Sequence, residues 1–173
     1  SYSIIRRMTT VDLLKQQAEI AFREFLEPLE GLSERQAWAT LPDGGSDYLH
    51  TGGSIQNIVL HVASGKFMYG SISFKNSEIR WSALADRIES FEPDWAKALE
   101  FLHEAHAYWM ESWKDLTDAD LVVDRPRFDA LWPTWKILQT VIAHDSWHGG
   151  QLALLRYAGL NGESPPPSEA EDI

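Results

Sequence analysis

Histidines at positions 61, 144 and 148 are the residues of this chain whose type and spacing could do chemistry. His144 and His148 stand four apart in TWKILQTVIAHDSWHGGQLALLRY, and His61 lies far upstream in SIQNIVLHVASGKFMYG. A spacing of four puts two imidazoles on one helical face, where they can grip one ion. Both stretches carry helical apolar periodicity, and the histidines fall on or beside the apolar stripe. An imidazole turned toward a core is costly unless its nitrogens find partners. Two arrangements would provide them. One is a metal ion shared by three rings, with a coordination position left open as in catalytic sites. The other is a core pair in which each ring bonds a backbone carbonyl or a carboxylate. His61 alone reads as a satisfied core histidine, but glycine and small residues beside it make it the candidate third ligand. His106 also lies on an apolar stripe, as a rival third ligand or an acid–base residue lining a pocket.

Asp145 follows the first histidine of the pair, giving HDSWH. The HExxH of zinc proteases has a longer glutamate there, and no downstream third ligand follows here, so that motif is not met. Asp145 reads either as an outer-shell partner that orients a histidine or as a partly exposed helix carboxylate. Gln151, three residues past His148, could bond a metal-bound water or a neighbouring helix. Gly149 and Gly150 are costly inside a helix and imply tight packing or room beside a metal. His103 reads as solvent-facing, and His50, in a glycine-rich loop, has no assigned role. The eight tryptophans read as core and interface residues, some of them candidates for lining a pocket above a metal.

The chain's 173 residues fit one domain with a full core. There are no cysteines, which excludes disulfides, thiolate zinc sites and a cysteine nucleophile, and suits a cytoplasmic protein. The net charge of -11 argues against a nucleic-acid groove and against docking on anionic lipid. No apolar run is long enough to span a bilayer, and SYSIIRRMTT lacks the apolar core of a secretory leader.

Four long helices must position these residues. The first starts near Thr9 or Thr10, with Asp12 in its first turn, and ends by Pro28 or Gly31. A helix of one or two turns follows from Ser33. The second long helix is capped by Ser54 and runs to about Phe74. A short helix is expected around Ala83–Ile88. The third long helix begins near Glu92, with Pro93 in its first turn, and stops before a turn at Thr117–Asp120. VVDRPRFDALWPTW is a long connection that could hold a short hairpin, and the fourth long helix runs from Thr134 to about Tyr157. The fold expected is all-α, a four-helix bundle over 1–160, with long connections that permit crossovers and an acidic, proline-rich tail over 161–173 that reads as disordered.

The segment HDSWHGGQLALLRYAGL, with SIQNIVLHVASG and LTDADL, resembles the DinB-like (YfiT-like) superfamily, whose pattern is one histidine in the second bundle helix and H-x-x-x-H-x-G-Q in the last. The resemblance covers nearly the whole chain up to Leu160; Gly149 stands where an arginine is frequent. It implies an antiparallel-type four-helix bundle, a divalent metal on His61, His144 and His148, and a homodimer. Imidazole ligands suit zinc and nickel, placed first, and also iron and copper. Relatives include S-transferases and isomerases that use low-molecular-weight thiols such as bacillithiol and mycothiol, while many members have no assigned reaction. The leading expectation is a metal-dependent transferase joining such a thiol to an electrophilic small molecule, with His106 or Asp145 moving protons. The alternatives are a metal-dependent hydrolase using metal-bound water and a non-catalytic metal- or ligand-binding stress protein.

Overall fold

The computed structural model describes residues 8–39, 54–91 and 94–157. Six α-helices and one small hairpin make up these residues. Helix α1 spans Thr10–Leu26 and opens on a reciprocal cap: the Thr9 hydroxyl accepts from the Asp12 N–H, and the Asp12 carboxylate accepts from the Thr9 N–H. It tightens into a 3-10 turn at Glu27–Leu29 and ends beside Gly31, whose φ of 67° suits a residue without Cβ. Ser33 and Gln36 cap the short α2, Glu34–Trp38, in the same reciprocal way. Ser54 caps α3, Ile55–Phe74. Helix α4 spans Trp81–Glu89 and α5 spans Trp95–Ser112. The loop before α3, with His50, and the tail lie outside the described residues, as do Glu92 and Pro93; α5 is capped instead by Asp94.

After α5 the chain makes a 3-10 turn at Asp118–Val122 and then a hairpin. Strand β1, Asp124–Arg127, pairs antiparallel with β2, Ala130–Pro133, with Arg127 opposite Ala130. Phe128 takes positive φ at the turn. The strand runs without a linker into α6, Thr134–Tyr157.

Neighbouring residues along the helices give the topology. Along α3 and α5, Lys66 meets His106, Gly70 meets Tyr108 and Ser112, and Phe74 meets Trp109, so both helices run the same way. Along α1 and α6, Ala21 faces the Ile142 region, Phe25 meets Gly149, and Pro28 accepts from Arg156, a second parallel pair. Between α1 and α5 the order reverses: Lys15 bonds the Lys114 carbonyl while Phe22 stacks on His106. The bundle is therefore up-down-down-up. The resemblance implied an antiparallel-type bundle, and the long connections between the first and second and between the third and fourth long helices permitted crossovers there. The parallel step falls between the second and third long helices, and the segment holding α4 carries the chain back.

The interior divides into two apolar clusters. One gathers Phe22, Phe25, Ile58, Val62, Phe101 and Leu152; the other gathers Val11, Ala18, Trp109, Trp113, Ile137 and Val141. On α5 the change from one to the other comes at His106. On α6 it comes between Ile142 and Leu152, the stretch that holds His144, Asp145 and His148. On α3 it follows Lys66 and Phe67. A buried polar layer thus crosses the bundle at mid-height.

Close packing of α3 on α5 depends on Gly70. A Cβ there would stand 2.9 Å from the Tyr108 ring, and that ring is held by its hydroxyl donating to Glu78 at 2.8 Å. Gly70→Ala should therefore destabilise by about 1–3 kcal/mol, as overpacking does. Gly65→Ala meets only an ordinary contact, 3.9 Å from His144 Cε1, and should be neutral or stabilise by up to about 1 kcal/mol. Urea unfolding of the two variants checks the contrast.

Candidate metal centre

His61 comes from α3, and His144 and His148 from successive turns of α6. The Nε2 atom of His144 stands 3.0 Å from that of His61 and 3.0 Å from that of His148. All three ligand atoms lie within 4.8 Å of one another. Ligands about 2.0–2.1 Å from a shared ion, at angles near 90–110°, stand about 2.9–3.4 Å apart, so these spacings suit one metal.

Proton bookkeeping points the same way. His148 Nδ1 lies 2.6 Å from Gln151 Oε1. The amide oxygen can only accept, so the ring proton sits on Nδ1 and leaves a lone pair on Nε2. His144 Nε2 then faces two imidazole nitrogens with at most one proton to give. The three ring nitrogens are close enough to hold one cation. The geometry is compatible with a metal ion shared by the three rings. Gln151 is the hydrogen-bond partner of His148 and is not among the residues lining the cavity described below.

His148 is fully buried, whereas His61 and His144 are half-buried and line a cavity of about 490 Å³. Ser64, Gly65, Met68 and Tyr69 of α3 form its wall with them, and exposed Trp81 of α4 and Phe128 of the hairpin turn form its rim. Gly149 admits α1 behind the site, with the Phe25 backbone 3.4 Å from where a Cβ would be. This is the tight packing expected of that glycine; Gly150 meets nothing within 4 Å.

His106 is not part of the triad. Its ring stacks on Phe22 with centroids 3.7 Å apart, and Nδ1 accepts from Lys66 Nζ at 3.3 Å. Burial first, then the Lys66 and His103 charges, lower its pKa to about 3. His106 is thus neutral near pH 7, and its 3.5 Å approach to exposed Glu19 is not an ion pair there. It does not line the cavity over the histidines.

Asp145 departs from both sequence readings. It is buried, not partly exposed, and its Oδ2 accepts from Lys66 Nζ at 2.5 Å rather than from a histidine of a neighbouring helix. Burial raises the Asp145 pKa against the opposing Lys66 charge, and burial lowers that of Lys66. The sequence reading missed Lys66. Its signal was available: it is the one lysine, arginine or carboxylate in the twenty residues of α3. A lone charge in an apolar helix demands a partner. The pair ties α3 to α6 five residues from His61 and next to His144, so it sets the register that brings the rings together.

No family model matches the chain, and no curated protein and no solved structure was found to be similar to it.

Removing one member of the buried pair strands the other. Lys66→Met should cost about 3–5 kcal/mol, and adding Asp145→Leu should recover most of it; the single variant should also bind metal more weakly. Denaturation and metal titration of both proteins test this. His106 sets a pH dependence. Its folded pKa of about 3 lies below the ordinary 6.5, so the unfolded chain takes up a proton first as pH falls. Its contribution to stability is present above about pH 6.5 and is lost progressively as pH falls toward 3. His106→Phe should flatten the stability–pH curve in that window relative to the parent.

Proposed function

We propose that the chain is a metal-dependent transferase that joins a low-molecular-weight thiol to an electrophilic small molecule, with zinc or nickel on His61, His144 and His148. The observation that carries this reading is the convergence of three imidazole Nε2 atoms at the wall of a mostly apolar cavity. A divalent ion held there would lower the pKa of an entering thiol and so present a nucleophilic sulfur near neutral pH. With no cysteine in the chain, the thiol is a cosubstrate. Its sulfur forms the new bond to the electrophilic carbon, the leaving group departs with its electron pair, and the thiol proton passes to solvent. Gln151 fixes the His148 tautomer. Met68, Trp81 and Phe128 shield the sulfur from water and hold the electrophile's apolar body.

The cavity lining favours transfer over hydrolysis. Among the described residues no carboxylate lines it, and Asp145 is committed to Lys66, so no general base is in place to activate a water. The likeness of HDSWHGGQ and SIQNIVLHVASG to the DinB-like superfamily supports the same reading, and membership in it is part of the proposal.

We also propose a homodimer through α6. From Gln139 to Leu154 every exposed residue of that helix is uncharged: Gln139, Ala143, Ser146, Trp147, Gly150 and Leu154. A chain with a net charge of -11 that leaves such a face bare has a surface suited to a second copy.

Metal titration should give one zinc or nickel per chain, with binding abolished in His148→Ala and weakened about 10–100-fold in Gln151→Leu. Chelator should lower the melting temperature of the parent without unfolding it at room temperature, and leave the His148 variant unmoved. A panel of thiols with 1-chloro-2,4-dinitrobenzene should give metal-dependent conjugation; no product with any thiol overturns the transferase reading, and turnover of an ester without thiol would favour hydrolysis. Sedimentation should show a dimer, and Ala143→Glu with Ser146→Glu should make it a monomer; a monomeric parent at high micromolar concentration refutes the dimer.

A further inference from the structure

Tyr69 stands two helical steps beyond His61 on the cavity-facing side of α3, in the series His61, Gly65, Tyr69. Eight residues at 1.5 Å put its Cα about 12 Å along the helix from that of His61. Tyr69 lines the same cavity as Gly65 and the two half-buried histidines. Its hydroxyl oxygen accepts two hydrogen bonds from Arg127 of the hairpin, from Nη2 at 2.9 Å and from Nε at 3.3 Å. A phenol oxygen so occupied still has its own hydrogen to donate, and among the described residues no acceptor takes it.

Arg127 is itself unusual. Its guanidinium lies over the Trp132 ring at 4.4 Å, the Phe128 ring at 5.0 Å and the Tyr69 ring at 5.6 Å. Among the described residues no carboxylate forms an ion pair with it, in a chain with an excess of acids. A half-buried cation packed among rings and bonded to a residue of the cavity lining helps offset the cost of burying an anion there. It also polarises the hydroxyl that would meet that anion, and such charge-assisted bonds are the stronger kind.

We infer that Tyr69, backed by Arg127, is the anchor for a carboxylate on an aromatic or other flat apolar molecule bound in the cavity over the histidines. Phe128, Trp81 and Met68 take the apolar body, in a cavity of about 490 Å³. The inference deepens the proposed function by giving the substrate class of the same cavity, and it rests on that cavity being the ligand site. It does not require turnover or a bound ion.

The test compares two probes of one shape, 2-naphthoate and 2-naphthamide, by calorimetric titration at pH 7.5. Metal-free protein is used first, so that the carboxylate cannot owe its binding to a metal, and zinc-loaded protein second. The metal-free parent should bind the carboxylate at least 10-fold more tightly than the amide. Tyr69→Phe and Arg127→Gln should each bring that ratio close to one while binding the amide as the parent does, and Arg127→Lys should keep part of the preference. A purely structural role would weaken both probes together and leave the ratio intact. Equal binding of the two probes by the parent, no binding of either, or an unchanged ratio in both variants overturns the inference. A carboxylate preference that depends on Tyr69, in a protein that conjugates no thiol, would leave the anchor standing and remove the transferase reading. Thiol conjugation with no Tyr69-dependent preference would do the reverse.

Discussion

The ion pair between Lys66 and Asp145 is the constraint on which the rest of this structure depends. Both groups are buried, and neither could be there alone. Bringing two charges out of water costs several kcal/mol per ion, so such a pair adds little net stability. Its value lies in what it specifies. It can form at only one register of α3 against α6, and those helices carry all three histidines. A slip of one turn would leave both charges unpaired in the core, a penalty no apolar contact could offset. The same lysine reaches His106 on α5, so three of the four long helices are indexed at one level of the bundle.

This explains why the polar layer lies where the two apolar clusters part. Apolar contacts hold helices together but tolerate sliding; hydrogen bonds at fixed points do not. The three histidines then inherit their positions from neighbours outside the triad. His148 is held by Gln151 one turn on, His144 by the helix that Asp145 pins, and α1 closes the back through Gly149.

Much of this was legible in the sequence, and the reasons differ by element. Thr9, Ser33 and Ser54 marked helix starts because a side-chain cap is local chemistry. Thr134 began α6 as expected. His61, His144 and His148 stood out because polar residues inside apolar stripes require partners. The up-down-down-up order was not legible, since connection length does not fix helix direction. Asp145 was misjudged because helical phase places it only beside the apolar stripe; its burial depends on a lysine 79 residues away. The Tyr69–Arg127 contact was equally hidden, because it joins a helix to a hairpin that the sequence only allowed for. Residue types announce which groups need satisfying, but not which distant group satisfies them.

The closed back of the triad has a stereochemical consequence. His148 is sealed within the bundle, and only His61 and His144 face the cavity, so anything arriving at the centre meets it from one side. The walls on that side differ: one is a helix bearing Met68 and Tyr69, the other a rim of two indole and phenyl faces. A flat molecule bound between these unlike walls would present one face to the histidines and the other to the opposite wall. If the proposed chemistry takes place there, every substrate is approached from the same side, and the orientation it adopts between the walls decides which of its faces reacts.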